Sequence, residues 1–505
     1  MKPVFTSEDI RNMDAMAVSQ GAQIEGLVGA AGAAVADMIT KAYPACAVLI
    51  LCGPGNNGAD GLAAAKVLAP THGVTVALLY PDKHRGAALY HKQQLQKERI
   101  RILEVHESAD LQRIKAACPA PTVVIDALLG TGSARAPQDV LVDAIDLINE
   151  YGTHTDVVAI DVPTGVMVDS GRVYEKVVRA HHTIALMGYK PCHLLFPAAE
   201  YAGHLRLAIP FATAYRAPQQ AAQFTREDVQ PLSRQRDSHK GSYGCLVIVA
   251  GSEGYSGAGE MCARSALRSG CGTLVLASPQ STTKVYRQKL TEAMTVALPE
   301  QDGGYGDCGA LAPQLFTRAT ACVLGPGMGH GDGVWQMVQA ALLSEKPSVL
   351  DADALNMLSE HGAHVLQQAK GPIVLTPHPK ELARLMHLTV EEVLSDPLTA
   401  ARTMARENGC ICVLKMASTI IASAERAAFT TTGCAGMAKG GSGDVLAGCI
   451  GALLAQHMDP FYAACFGAYV CGMAGQFAQR YWGMTSMLPT DTIVQLPRVF
   501  KRFER

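Results

Sequence analysis

The sequence has no excess of charge of one sign. Lys and Arg number 43 against 45 Asp and Glu, a net charge of −2. No basic surface therefore advertises nucleic acid or an anionic membrane, and neither is expected as a partner. The 15 cysteines form no CxxC pair and no Cys–His set with metal-ligand spacing. Cys46, Cys245, Cys322, Cys412 and Cys449 lie inside apolar runs. They read as small buried hydrophobes of a reducing cytoplasm. The opening residues MKPVFTSEDI carry no basic stretch followed by an apolar one, so no signal peptide is expected. Long apolar runs are missing too: the most apolar stretch, 445–456, is too short to span a bilayer and reads as a buried helix. With 17% charged and 49% hydrophobic residues the chain is globular rather than disordered. Its 505 residues exceed one ordinary core, which implies two or three domains.

What is plentiful is glycine, 48 residues, much of it directly after short apolar runs. In the first half these runs are VLILC (48–52), VTVALLY (74–80), TVVID (122–126) and VVAID (157–161). The second half repeats the style with LVIVAG, CVLGPG, SVLDAD, IVLTPH and CVLKMA. Amphipathic stretches separate the runs. Such alternation predicts βαβ units and parallel sheets covered on both faces. A segment rich in Ala, Gln and Pro separates the halves. The expected division is a domain over 1–211, a linker over 212–224 and a second domain over 225–505. Ligands of parallel sheets sit outside the carboxyl ends of the strands, so the residues after each run should converge on a crevice.

The first crevice is assembled from GPGNNGADG (53–61), DALLGTG (126–132) and DVPTG (161–165). The GxGxxG match alone is a weak indication of a dinucleotide cradle. Asn56 and Asn57 occupy its turn and Asp60 follows at once. That carboxylate would repel a pyrophosphate and suits acid–base or hydrogen-bonding chemistry instead. Asn57, Asp126 and Thr164 offer an amide carbonyl, a carboxylate and a hydroxyl, hard donors suited to an alkali or alkaline-earth cation. Each residue taken singly is better explained by turn stabilisation; the three together favour a site. The backbone of Gly130–Gly132 can hold a phosphate, and Asp161 is a candidate proton acceptor.

The second crevice ends in AKGGSGDVLAGCIGALL, where Gly440, Gly441 and Gly443 allow a tight turn into a helix expected to begin at about Asp444. Free N–H groups and the dipole at a helix start form an anion hole for a transferred phosphate. Asp444 at its mouth can accept the proton of an attacking hydroxyl. The dipole is expected to keep this carboxylate ionised and therefore weakly basic. A helix-capping role is the competing reading. His378, between two prolines in an extended segment, is a candidate ligand contact. Lys415 either contacts phosphate or snorkels from a strand edge.

At these motifs the sequence resembles the bifunctional NAD(P)H-hydrate repair enzymes over nearly its whole length. GPGNNGADG, DALLGTG and DVPTG are similar to the epimerase domain, with a Rossmann-like fold. HKGSYG (239–244), GPGMG, DADALN, TPHP and GGSGDVLAG are similar to the dehydratase domain, with a ribokinase-like fold. The resemblance implies repair of NADH or NADPH hydrated at C6 of the nicotinamide ring. One domain would interconvert the R and S hydrates. The other would dehydrate the S form at the expense of ADP, giving AMP and phosphate. A cytoplasmic homo-oligomer is expected.

Carried over motif by motif, Asn56, Asn57, Gly58, Ala59 and Asp60 would bind the hydrate in the epimerase. So would Gly130, Thr131, Gly132, Ser133, Ala134, Arg135, Ala136 and Asp161. Asn57, Asp126 and Thr164 would hold potassium. In the dehydratase, Ala258, Gly329, His378 and Asp444 would bind the hydrate. Lys415, Met416, Ala417, Ser418, Thr419 and Gly443 would bind the nucleotide, accompanied by Mg²⁺. Asp444 and Asp161 would be the catalytic residues. Several positions depart from the family's pattern. Ala59 stands for a Gly, LVGAAG (27–32) lacks the usual polar pair, and Gly259 stands for a Pro. Lys380 and Met416 stand for Gly, and Lys439, at a usually small position, would add a phosphate contact. Two other readings stay open: a ribokinase-like kinase of a vitamin-precursor alcohol, and a first half that serves only as a binding module.

Overall fold

In the computed structural model, residues 1–133, 135–210 and 220–504 are described. The chain divides into two compact units, one of Lys2–Gln220 and one of Ala221–Arg505 with Met1. Positions 212–219 of the expected linker lie outside the described residues. Ala221–Gln223, also within that expected linker, instead form a strand that pairs with Ala427–Phe429.

The first unit is built on a seven-stranded sheet. Its spatial order is Arg101–Val105, Gly73–Leu79, Ala47–Cys52, Val123–Ala127, Asp156–Ile160, His182–Leu186 and His204–Ala208, every pair parallel. The four apolar runs read from the sequence supply four of these strands; the other three are more polar and were not anticipated. Both faces are buried, which is why these strands read as continuous apolar runs rather than alternating ones. Ile50, Val76 and Ile125 sit side by side in register and pack beneath the helices Ile24–Ala42 and Asn56–Leu68. Leu49, Leu51, Ala77 and Val124 face the other way, against Ser108–Ala117 and Val140–Tyr151.

The chain leaves Ala47–Cys52 toward one edge of the sheet and returns at Val123–Ala127 toward the other. At such a reversal the loops after the two strands run apart and leave a crevice. Here the loops are those that begin at Gly53 and Leu128. Where they leave the sheet the two are so close that a Cβ on Gly53 would lie 2.0 Å from the Leu128 carbonyl oxygen, and within the first loop a Cβ on Gly58 would lie 1.8 Å from the Gly53 carbonyl oxygen. Glycine is the only residue that fits either place.

The second unit repeats the architecture. From Ile411–Leu414 the sheet runs through Ile373–Leu375, Ser348–Leu350, Ala321–Leu324, Cys245–Val249 and Thr273–Pro279 to Met294–Leu298, all parallel. On the other side Thr419–Ala422 and Ala427–Thr430 are added antiparallel, an edge that the parallel-sheet expectation did not include. The reversal falls between Cys245–Val249 and Ala321–Leu324. Helix Ser442–Ala455 packs against Ser256–Arg268, and every residue from Val445 to Ala455 is buried. This accounts for the apolar stretch in the sequence. Among the described residues no helix is long and apolar enough to cross a membrane, and all 15 cysteines are free thiols.

Candidate functional site

In the first unit a cavity of about 860 Å³ opens at the strand reversal. Of the residues expected there, Asn56, Asn57, Asp60, Gly130, Thr131, Gly132, Ser133 and Asp161 line it. Gly58 and Ala59 do not reach its wall. Ala59 is buried among Val28, Ala63, Ala87 and Ala88, so the methyl group that replaces the usual Gly hydrogen points into the core. Arg135 borders a smaller neighbouring recess instead, Ala136 lines neither, and Ala134 lies outside the described residues.

Beneath the cavity the three candidate cation ligands gather around the loop Leu128–Gly130. Asp126 is fully buried and accepts from the Thr164 hydroxyl at 2.7 Å and from the backbone N–H groups of Thr164 and Leu128 at 2.8 and 3.1 Å. Leu129 N–H donates to the Thr164 hydroxyl at 3.0 Å. Asn57 packs under Gly130, and both polar atoms of its buried amide lack a hydrogen-bond partner. Burial pushes the Asp126 carboxyl up to about 6 despite these hydrogen bonds. Among the described residues no cationic side chain pairs with it. An orphaned buried amide under Gly130 and a buried carboxylate without a counter-charge at Leu128 are donors of the kind that a monovalent cation would satisfy.

Asp161 has φ +65°, a backbone conformation rare outside glycine. Its carboxylate forms an ion pair with the buried ammonium of Lys190. Asp60 and Asp14 share this corner of the cavity. Burial, then the charges of Asp161 and Asp14, push Asp60 well above the ordinary carboxylate range. Desolvation, then the charge of Asp161, raises Asp14.

In the second unit the helix starts at Ser442, with Gly441 at φ +103° as its N-cap, two residues earlier than the sequence suggested. Asp444 is therefore the third helical residue and not the cap. It accepts none of the hydrogen bonds among the described residues, which removes the capping reading. The dipole does not keep it an ordinary ionised carboxylate either. Burial, and then the nearby charge of Asp351, push it up to about 7 against the opposing pull of Lys415.

Lys415 bonds Asp351 at 2.6 Å and lies 3.8 Å from Glu381. Asp351 is also bonded by the Thr376 hydroxyl at 2.8 Å. The Lys415 nitrogen would lie 3.3 Å from a Cβ on Gly443, so the GGSG turn packs directly on this lysine. Lys415 begins the bend between the strands Ile411–Leu414 and Thr419–Ala422, where the buried Ser418 hydroxyl is unpartnered. The Lys439 amino group donates to the carbonyls of Thr485 and Met487, each at 2.7 Å. His378 spends its Nδ1 on capping the helix Pro379–Met386, accepting from Lys380 and Glu381 N–H at 3.1 and 3.2 Å. Its other nitrogen lies 3.5 Å from Glu381. Gly329 donates its N–H to Asp353 at 2.8 Å, and Ala258 lies in the first turn of Ser256–Arg268. Gly259 is explained by Tyr286, whose hydroxyl lies 2.2 Å from where a Cβ would stand.

Residues 246–498 match the family described as NAD(P)H-hydrate dehydratase, and residues 24–192 match the one described as YjeF-related protein N-terminus. The bifunctional NAD(P)H-hydrate repair enzyme Nnr of Moorella thermoacetica is 36% identical over 90% of this chain and 88% of its own length. That of Escherichia coli is 33% identical over 98% and 93%. The chain belongs to the bifunctional NAD(P)H-hydrate repair enzymes. Its second unit has a solved counterpart in the ADP/ATP-dependent NAD(P)H-hydrate dehydratase of Bacillus subtilis, co-crystallized with ATP/Mg2+. That structure is 31% identical, covers 56% of this chain and 99% of its own, and superposes with a TM-score of 0.51.

Sequence reasoning missed four residues in the first unit of this repair enzyme: Arg11, Asp14, Lys190 and His193. Arg11, Asp14 and Lys190 line the cavity, and His193 stands behind Asp161. Lys190 follows the strand His182–Leu186, so the strand-end test would have found it had HTIAL been recognised as a strand. Arg11 and Asp14 sit on the helix Ser7–Ser19, which precedes the matched segment. A reciprocal Thr6–Asp9 cap starts that helix, and Ser7 N–H bonds Asp169 at 2.8 Å to hold it over the cavity. No local pattern connects residue 14 with residue 161.

Proposed function

We propose that this chain repairs hydrated NADH and NADPH in two steps, epimerising the R and S hydrates in the first unit and dehydrating the S hydrate in the second. The observation that carries the dehydratase reading is an unpartnered Asp444 carboxylate in the opening turn of a glycine-led helix, beside the Lys415–Asp351 pair. The C6 hydroxyl of the hydrate attacks the terminal phosphoryl group of ADP while Asp444 accepts its proton. The C6–O bond then breaks with phosphate as leaving group, C5 gives up a proton, and the dihydronicotinamide returns. Hydroxide leaves poorly and phosphate well, which is the reason to use a kinase-like site for a dehydration. Lys415, Ser418 and the N–H groups of the Gly443 turn would hold the nucleotide, with Ala258, Gly329 and His378 on the hydrate. Mg²⁺ travelling with the nucleotide supplies neutralisation of phosphate charge.

In the first unit Asp161 accepts the proton of the C6 hydroxyl. Asn57, Asp126 and Thr164 would hold potassium, whose charge offsets Asp126 and orders the loop 128–130. Asn57→Ala is expected to raise the potassium concentration needed for half-maximal R-hydrate turnover by about tenfold or more. A titration of turnover with KCl at constant ionic strength checks this.

The deciding experiment supplies mixed R and S NADHX with ADP or with ATP and follows the return of NADH absorbance. Complete recovery of both epimers with ADP supports the reading. Recovery with ATP alone moves the nucleotide assignment, and recovery of only half the hydrate removes the epimerase. Net phosphorylation of a hydroxymethyl-pyrimidine or thiazole alcohol would favour the vitamin-precursor kinase instead.

The raised Asp444 carboxyl gives dehydration a pH dependence. A base must be unprotonated to act, and Asp444 loses its proton at about 7. S-hydrate turnover should therefore rise with pH through about 7 and fall about tenfold per unit well below it. A flat profile between pH 5.5 and 8 at saturating nucleotide contradicts the assignment.

A further inference from the structure

Lys190 is wholly buried, and its surroundings leave it nothing to offer a substrate. An ammonium has three N–H groups. One goes to the Asp161 carboxylate, one to the Leu186 carbonyl at 2.7 Å and one to the Gly188 carbonyl at 3.2 Å. A lysine engaged in this way is neither a proton donor nor a nucleophile; it is a fixed positive charge against Oδ1 of Asp161. The same oxygen accepts Leu186 N–H at 3.0 Å. The Asp161 backbone is held as firmly, its N–H bonded to the Ile184 carbonyl at 2.9 Å and its carbonyl to His193 Nε2 at 2.8 Å.

The His193 ring is oriented in turn. Its Nδ1 accepts Lys190 N–H at 3.0 Å, so Nε2 carries the hydrogen that reaches Asp161. Burial and the Lys190 charge hold this imidazole neutral, its pKa pushed down to about 4. Left-handed backbone at a residue with a Cβ persists only where the surroundings impose it, and here Lys190 and His193 supply the constraint. Asp161 Oδ2 alone has no partner among the described residues, and Asp161 lines the cavity.

We infer that Lys190 and His193 are positioning residues that present a single free oxygen of Asp161 to the hydrate as the proton acceptor, an inference that rests on the epimerase reading above. The proton passes from the C6 hydroxyl to Oδ2 as the C6–N1 bond breaks and C6 becomes an aldehyde carbon; rotation about C5–C6 presents the other face, N1 adds back to C6 and Oδ2 returns the proton to the oxygen, so nothing is consumed. The charged and titratable groups around Asp161 are Lys190, Cys192, His193, Asp14 and Asp60. Lys190 is the cation held against Asp161 in a corner where burial and neighbouring carboxylates raise both Asp14 and Asp60.

The test uses the full chain, whose S-hydrate dehydration is an internal control for folding of the second unit. Four variants are compared on purified R-NADHX: Asp161→Asn, Lys190→Met, Lys190→Arg and His193→Gln. Asp161→Asn should abolish turnover; retained turnover sinks the base reading itself. Lys190→Met should lower kcat about 100-fold or more, with little change in KM, and move the acid limb of the pH profile to higher pH. Lys190→Arg, which keeps the charge, should recover part of kcat and the original limb. His193→Gln should lower kcat without moving that limb. If Asp161→Asn is inactive while Lys190→Met keeps the parent pH limb and kcat, the positioning role is refuted and the base survives. If Lys190→Met and Lys190→Arg are equally inactive, lysine serves shape rather than charge and the inference fails.

Discussion

Asp444→Ala is expected to abolish S-hydrate dehydration, lowering kcat by about a thousandfold or more, while R and S hydrates still equilibrate. The loss should fall on kcat rather than on nucleotide affinity, because the anion hole is made by backbone N–H groups of the helix start, which the substitution leaves in place. The fold should survive: Asp444 caps nothing and accepts no hydrogen bond among the described residues. Removing a carboxylate that burial and Asp351 both destabilise should, if anything, stabilise the unit at alkaline pH. The sign follows from linkage. A carboxyl raised to about 7 binds its proton more tightly folded than unfolded, so its contribution is present at low pH and is lost as pH rises through about 7. Normal consumption of the S hydrate by Asp444→Ala, followed by NADH absorbance, would overturn the assignment.

Asp161→Ala is expected to stop net consumption of the R hydrate while S-hydrate repair continues at the parent rate. The effect should reach at least about a hundredfold, because the group accepting the proton is lost. The buried Lys190 ammonium is also left without its carboxylate, a loss that costs several kcal/mol in a dry interior. Some of the phenotype can therefore appear as lowered stability, which thermal unfolding of the variant separates from chemistry. Asp161→Asn keeps the shape and isolates the chemical part. Chromatographic resolution of the two epimers over time is the measurement, and unchanged R-hydrate decay in both variants would sink the claim.

Much of both sites was legible because a parallel sheet places its ligands just after its strands, and buried strands announce themselves as apolar runs ended by Gly or Asp. VLILC before GPGNNGADG and TVVID before ALLGTG are adjacent in the sheet, so the crevice between them was readable without coordinates. Less was legible where an element is polar or distant. The strand His182–Leu186 contains Thr183 and begins with histidine, and it escaped notice; Lys190 escaped with it. The helix Ser7–Ser19 reaches the cavity by a tertiary contact from Ser7 to Asp169, and no spacing rule predicts such a contact.

Asp444 shows the same division most plainly. The glycine-led helix start and the carboxylate in its first turn follow from GGSGDVLAG, since only glycine adopts the Gly441 backbone readily and only free N–H groups make an anion hole. The sequence therefore determined the fold class of each half, the strand ends that border the crevices and the place of a carboxylate in the first turn of that helix. It did not determine that carboxylate's basicity. Local structure argues for a depressed pKa through the dipole, whereas the folded chain brings Asp351 and Asp353, from a strand end some ninety residues away, against Asp444 and takes it out of water. Long-range burial outweighs a partial charge of about half an electron at the helix end, and that balance is set by tertiary structure alone.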